Sequence, residues 1–237
     1  MTNEQLIFLF SPFLKAEEKV LSDFKTYAAE LLEWNKKTNI TAITGEYEIY
    51  KNHFLDSLSV LPLINPKGNL LDVGTGGGFP GLVLKIVCPE LKVTVMDSVA
   101  KKVVFLDHII DTLKLEGVES KWGRAEEFGR DPAFREQYDV VTARAVATMP
   151  VLAEFCLPFV KVGGLFIAQK GRDAKEIKNA EKVIEILGGK LEEIRKVKLP
   201  GDDENRNIAV IRKVRNTTQE YPRKPGIPEK RPIKTKQ

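Results

Sequence analysis

An α/β fold built on a mostly parallel sheet is predicted by three features of this chain. From residue 69 onward, short apolar runs alternate with stretches of helical periodicity, the order that builds right-handed strand-helix-strand crossovers. The first run, Leu70-Leu71-Asp72-Val73, stops at Gly74-Thr75-Gly76-Gly77-Gly78-Phe79-Pro80-Gly81, where glycines let backbone amides approach a ligand. The next, Lys92-Val93-Thr94-Val95-Met96, ends in Asp97, about 20 residues past the glycines, where such folds place a carboxylate that accepts ribose hydroxyls. A nucleoside-containing cofactor is the first functional hypothesis.

The elements follow in order. Residues 3–37 read as helical, with Leu6, Leu9, Phe10 and Phe13, then Val20, Phe24, Tyr27 and Leu31 recurring near helical spacing, and Pro12 is placed to begin a second helix. Residues 41–45 read as a break, and periodicity resumes from Tyr47 to Leu61, so residues 1–66 form a helical cap. Strands are expected at 69–73, 92–96, 118–122, 138–143, 164–169, 191–198 and 206–212, and helices at 79–87, 99–113, 125–128, 150–160 and 173–187, within a core spanning 67–213. The linker Leu199 to Asn205 is too short for a crossover helix, so the last two strands pair as a hairpin and give the sheet an antiparallel edge. Residues 214–237 form a basic tail interrupted by Pro222, Pro225, Pro228 and Pro232, which needs a partner surface to become ordered.

Composition narrows the function classes. At 237 residues the chain is long enough for one substantial core. Cys88 and Cys156 lie in apolar surroundings, as buried thiols of a reducing compartment do, and neither they nor His53 and His108 have metal-ligand spacing. No basic-then-apolar leader and no run of 18 apolar residues is present, so secretion and membrane spanning are not expected and a cytoplasmic, bacterial-type setting is. The net charge of +4 is uneven: residues 212–237 hold nine Lys or Arg against two Glu, leaving −3 on the rest. Such a tail suits phosphate backbones, or is simply solvated.

Candidate site residues gather at the carboxyl ends of the strands. Gly74, Gly76 and Gly78 mark the bend, while Phe79 stands where a dinucleotide fingerprint needs its third glycine, which disfavours nicotinamide and flavin cofactors. Asp72 can hold loop amides or, through water, a cationic amino group of a cofactor; otherwise it is a turn acceptor. Asp97 suits a ribose diol because a carboxylate accepts two O–H donors at once. Ala125 and Glu126 can receive an adenine edge, or merely start a surface helix. Thr142, Ala143 and Arg144 fall at the rim, where an arginine can contact phosphate or the O6/N7 edge of a purine, or line a wet cleft. His53 reads as a structural or RNA-orienting residue more than a base, with Asp56 on the same helical side. His108 reads as a packing or surface neighbour.

The glycine loop, Asp97 and the terminal hairpin together resemble a class I S-adenosylmethionine-dependent methyltransferase, a Rossmann-like mixed sheet. Adding Asn39-Ile40-Thr41, His53-Phe54-Leu55-Asp56-Ser57, Phe79-Pro80-Gly81, Thr142-Ala143-Arg144-Ala145 and Tyr221 to Pro228, the chain resembles the bacterial 16S ribosomal RNA guanine-N7 methyltransferases along nearly its whole length. The resemblance implies methyl transfer from S-adenosyl-L-methionine to N7 of one guanine in the decoding-site loop of 16S ribosomal RNA, presented as RNA or as a small-subunit assembly intermediate. It implies a cofactor site of Asp72, Gly74, Thr75, Gly76, Gly78, Phe79, Asp97, Ala125, Glu126 and Arg144, with Arg144 also acting in catalysis. It implies RNA contacts at His53, Lys170, Arg206, Arg223 and Lys224, with no metal. A monomer is expected, since a large RNA already supplies an extended surface. Rival readings are a methyltransferase acting on another RNA, a protein or a small molecule, and a noncatalytic RNA-binding protein that retains this scaffold.

Overall fold

A computed structural model of the chain describes residues 1–203 and 205–234; Glu204 of the expected linker and residues 235–237 of the expected tail lie outside the described residues. In the cap, α1 (Asn3–Phe10) is closed by a capping box between Thr2 and Gln5, and α2 (Glu18–Asn35) follows. Pro12 sits in the turn between them and does not begin a helix; α2 starts only at Glu18. Next comes α3 (Glu46–Ile49), then a six-residue π-helical turn, Tyr50–Leu55, and the short α4 (Asp56–Leu58).

The core contains β1 (Asn69–Val73), α5 (Gly81–Val87), β2 (Lys92–Asp97), α6 (Ala100–Leu113), β3 (Val118–Trp122), α7 (Ala125–Phe128) and β4 (Tyr138–Arg144). It continues through α8 (Met149–Cys156), β5 (Val160–Lys170), α9 (Ala174–Asn179), α10 (Glu181–Ile186), β6 (Gly189–Val197) and β7 (Arg206–Lys213), and the tail adds α11 (Ile227–Lys230). Two expected helices differ. Helix α8 ends at Cys156 because Pro158 enforces a 3-10 turn, and the stretch expected as one helix over 173–187 breaks at Ala180 into α9 and α10.

The seven strands lie in the order β3-β2-β1-β4-β5-β7-β6. Strands β1 to β5 pair in parallel, and β7 runs antiparallel to both neighbours. The hairpin forms as expected, but its second strand inserts between β5 and β6, so β6 is the outer edge and β7 alone runs against the sheet. Alternate residues serve opposite layers: Leu70, Val93, Val95 and Val140 join the cap, α5 and α6, whereas Leu71, Val73, Val141 and Ala143 join α8, α9 and α10. Leu6, Phe24, Tyr27 and Phe54 of the cap belong to the same cluster as the sheet residues. The strand order reverses between β1 and β4, and open α/β sheets form their binding crevice at that switch point. Among the described residues no helix is long and apolar enough to cross a membrane.

Candidate active site

The loop after β1 is held from beneath and from both sides. Asp72, fully buried, accepts hydrogen bonds from Thr75 Oγ1 (2.5 Å), Thr142 Oγ1 (3.0 Å) and the Gly81 N–H (2.9 Å). Burial raises its pKa to about 6 against the lowering effect of those donors. Asp97 Oδ2 accepts the Gly76 N–H (2.9 Å) and Oδ1 the Val99 N–H (2.9 Å). From the cap, the buried Tyr27 hydroxyl donates to the Gly77 carbonyl. At Gly74 the backbone is left-handed, with φ +66°, and a Cβ there would lie 2.6 Å from Val146 Cγ2. Only a glycine leaves that space open.

Gly74, Asp97, Ala125 and Glu126 line one cavity of about 110 Å³, closed further by Val146 and Glu229. These four sequence-assigned residues are thus brought together. Asp72 and Thr75 lie under the loop with their side chains paired to each other, and Gly78 packs on Tyr27 and Leu82. Phe79 is buried in the cap interface, stacked on His53 (ring centroids 4.3 Å apart) and on Tyr27 (5.6 Å). These residues shape the cavity through the loop.

A second cavity, about 590 Å³, opens on the other side of the β4 tip and is lined by His53, Asp56, Arg144, Gln169, Lys170 and Arg206. Arg144 and Ala145 line this cavity, and Val146, the next residue, lines the first. Ala145 is held at φ +55°, a conformation that costs a non-glycine residue about 1–3 kcal/mol and persists only where its surroundings enforce it.

Arg144 ties this rim to the cap. Its Nη1 donates to the Asn52 carbonyl (2.8 Å) and to Asp56 Oδ2 (2.8 Å), its Nη2 donates to His53 Nδ1 (2.8 Å), and the guanidinium lies 5.2 Å from the Phe79 ring centre. Arginine has no acceptor atom, so His53 Nδ1 carries no proton and Nε2–H donates to Thr41 Oγ1 (2.8 Å). Burial, reinforced by Arg144, lowers the His53 pKa to about 3. The imidazole is neutral and both its nitrogens are engaged. The π-helical turn brings the Asn52 carbonyl and the His53 ring to one guanidinium, a role in which such turns recur at functional sites.

The other cations here are paired as well. Arg206 meets Asp56 (3.1 Å), Asp202 (3.3 Å) and Asn52 Oδ1 (2.8 Å), while Lys170 meets Glu176 (3.0 Å) and the Ala147 carbonyl (2.8 Å). Gln169 donates to the Asp56 carbonyl (2.8 Å), and its Oε1 has no hydrogen-bond partner. Arg223 and Lys224 do not reach this rim. Instead of waiting for a phosphate, Arg223 turns inward, with Nε and Nη2 on Glu154 of α8 at 2.8 and 2.6 Å. The described part of the tail needs no outside partner for its path, because it lies along α7 and α8. His108 is a partly exposed neighbour of Glu30 (2.6 Å) and Trp34. Cys88 and Cys156 are buried free thiols, and among the described residues no group of His, Cys, Asp or Glu is arranged to hold a metal.

Sequence reasoning missed Tyr27, Gln169, Glu154 and Glu229. Tyr27 occupies an ordinary core-facing helix position, so periodicity marks it for packing alone, whereas the burial of Glu154 depends on Arg223, 69 residues further along the chain. Gln169, one residue before the end of β5, lies opposite Arg144 in register, a pairing visible only once the sheet order is known.

Comparison with known proteins places this geometry. A family model described as rRNA small subunit methyltransferase G matches residues 20–209. Curated relatives named Ribosomal RNA small subunit methyltransferase G include that of Acetivibrio thermocellus, 50% identical over 218 residues (92% of this chain and 90% of the relative). Another, from Alkaliphilus metalliredigens, is 49% identical over 221 residues (92% of each chain). Among solved structures, M. jannaschii TYW2 in complex with AdoMet superposes with a TM-score of 0.51 at 14% identity, covering 85% of this chain and 79% of that one. That likeness concerns the fold alone, a class I S-adenosylmethionine-dependent methyltransferase sheet. With a family model over most of its length and relatives at half identity, the chain belongs to the small-subunit ribosomal RNA methyltransferase G family.

Proposed function

We propose that this chain transfers the methyl group of S-adenosyl-L-methionine to N7 of one guanine in the decoding-site loop of 16S ribosomal RNA. The observation that carries the reading is the meeting of two cavities across three consecutive residues, Arg144, Ala145 and Val146, at the sheet's switch point. One side supplies a glycine cradle and a carboxylate; the other supplies a broad polar rim. The residues present fit the cofactor: a Cβ at Gly74 would fill the cradle, Asp97 offers carboxylate oxygens to a diol, and Ala125 with Glu126 bounds the far end. When bound, the cofactor supplies an electrophilic methyl on a sulfonium.

Guanine N7 carries an in-plane lone pair and no proton, so no general base is required and alignment is the main demand. The site agrees with that demand. His53 is neutral with both nitrogens occupied, which suits it to orient Arg144 and leaves it no proton to exchange. Arg144, gripped on one side by the cap, presents a fixed guanidinium to the second cavity, where it suits a purine O6 or an adjacent phosphate. Gln169 Oε1 still lacks a donor, and guanine carries donors at N1 and N2. Lys170 and Arg206 share this rim, and Lys224, exposed on the tail away from it, completes the proposed RNA-facing set. The reading places the protein in the cytoplasm as a monomer acting on RNA or on an assembly intermediate.

The test is incubation with methyl-labelled S-adenosylmethionine and, separately, naked 16S RNA, small-subunit particles and small-molecule acceptors, followed by nucleotide mapping. Label at N7 of a single guanine supports the proposal. Label on a protein, a small molecule or another RNA position rejects it.

A further inference from the structure

The described tail follows a built track to the mouth of the first cavity. Arg135 donates to the carbonyls of Thr217 (2.6 Å) and Tyr221 (2.9 Å), and Arg130 donates to that of Pro222 (2.8 Å). Pro222 rests on Gly129, where a Cβ would lie 2.9 Å from the proline ring. Beyond it stands a clamp. Glu154, on α8, is fully buried, and its carboxylate accepts three hydrogen bonds from Arg223 alone: backbone N–H at 2.9 Å, Nε at 2.8 Å and Nη2 at 2.6 Å. A buried carboxylate without a partner is strongly unfavourable, so α8 carries this residue only because the tail arrives to meet it. Past the clamp, the Gly226 N–H donates to Glu126 Oε1 (2.9 Å), the oxygen that also receives Arg124 Nη2 (3.1 Å). Glu229 then approaches Arg124 (3.8 Å) and lines the same cavity as Gly74, Asp97 and Ala125.

We propose that residues 221–231 form the outer wall of the cofactor cavity, pinned by the Arg223–Glu154 clamp, so that cofactor retention and tail docking stabilise each other. The inference rests on the reading of this cavity as the S-adenosylmethionine site. Glu126 is the shared element: a wall of the cavity and the acceptor for the tail backbone. Arg223 and Glu154 are positioning residues, since neither lines the cavity. Thermodynamic linkage makes the coupling reciprocal: a ligand held by the wall must hold the wall in place.

Two measurements on the full-length protein test this. The first is equilibrium dialysis with radiolabelled S-adenosylmethionine on wild type, Glu229→Ala, Arg223→Ala and Arg223→Lys, with melting curves to check folding. Glu229→Ala and Arg223→Ala are expected to weaken binding by about tenfold, within the ordinary range of coupling between sites, with partial recovery in Arg223→Lys. The second is limited tryptic cleavage of wild type at the Arg223–Lys224 and Lys230–Arg231 bonds, the other basic positions in this stretch being followed by proline. Saturating cofactor is expected to slow that cleavage by about fivefold or more. Should Arg223→Ala fail to fold, Glu229→Ala and the proteolysis of wild type still decide. Wild-type affinity in folded variants, or cleavage indifferent to cofactor, overturns the wall while leaving the cofactor reading intact. Absence of saturable binding by wild type overturns the cofactor reading and this inference with it.

Discussion

Replacing Arg144 by alanine removes a guanidinium whose side chain is only 14% exposed and which donates to Asn52, His53 and Asp56. Removing one member of a buried ion pair costs about 3–5 kcal/mol when the other charge is stranded. Here Asp56 keeps Arg206 at 3.1 Å, so the lower end applies. The Asn52 carbonyl and His53 Nδ1 each lose a charged donor, worth about 1.5 kcal/mol or more apiece, which leads independently to roughly 3 kcal/mol. For a chain of this size that is a fall in Tm of roughly 6–12 °C. Urea unfolding followed by circular dichroism measures the stability, and labelled methyl transfer to small-subunit RNA measures the function. Turnover should fall much further than S-adenosylmethionine affinity, because Arg144 lines the second cavity and its hydrogen bonds go to the cap, its only approach to the loop among the described residues being the face of the Phe79 ring. Arg144→Lys should recover part of the stability and little of the turnover, since one ammonium cannot reproduce a planar fork with three partners. A loss under 1 kcal/mol would refute the anchoring role, and wild-type turnover would refute the role in transfer.

Gly74→Ala should weaken S-adenosylmethionine binding more than tenfold, because φ +66° is strained for alanine and its Cβ would meet Val146; calorimetric affinity near wild type counts against the cradle. Tyr27→Phe strips the donor from the buried Gly77 carbonyl and should cost about 1–3 kcal/mol in denaturant unfolding; no loss would mean that the hydroxyl does not secure the loop. The His53 pKa, lowered to about 3, means that the unfolded chain binds the proton more readily, so His53 stabilises the fold above pH 6.5 and that contribution is lost progressively on acidification toward pH 3. Asp72, raised to about 6, acts oppositely, its contribution being present in acid and lost as pH rises from about 4 to 6. Between pH 6.5 and 6 the histidine dominates, so stability should fall with acidification there, and His53→Gln should flatten that slope; an unchanged slope refutes the assignment of a neutral imidazole.

The sheet and half of the first cavity were legible in sequence because their signals are local. A strand buried on both faces, a glycine bend and a carboxylate closing the next strand are each contained in a few residues, and the parallel register of β1 with β2 brings Gly76 to Asp97 without further information. What stayed hidden depends on distant partners. Tyr27 reaches a loop 50 residues away, and its pattern announces only a core position. The π-helical turn has no periodicity of its own to betray it. Arg223 looked like a phosphate ligand because the sequence shows a cation among prolines and does not show that Glu154, 69 residues earlier, is buried and needs one.

The same reasoning changes how this site must attract RNA. A rim with Arg144, Lys170 and Arg206 reads in sequence as a basic patch, yet each of those cations already faces Asp56, Glu176 or Asp202. A phosphate arriving there competes with carboxylates that are part of the fold, so the rim contributes less long-range attraction than its arginines suggest. The paired cations instead hold fixed positions, and fixed donors discriminate between groups that differ in shape and hydrogen bonding. On the function proposed above, bulk attraction falls to the basic C-terminal segment, whose Lys224 and Lys230 are exposed on the stretch proposed as the wall of the cofactor cavity. On that proposal substrate capture and cofactor retention share one element of the chain, so truncation after Lys213 is expected to lower both RNA affinity and S-adenosylmethionine affinity, and loss of only one separates the two roles.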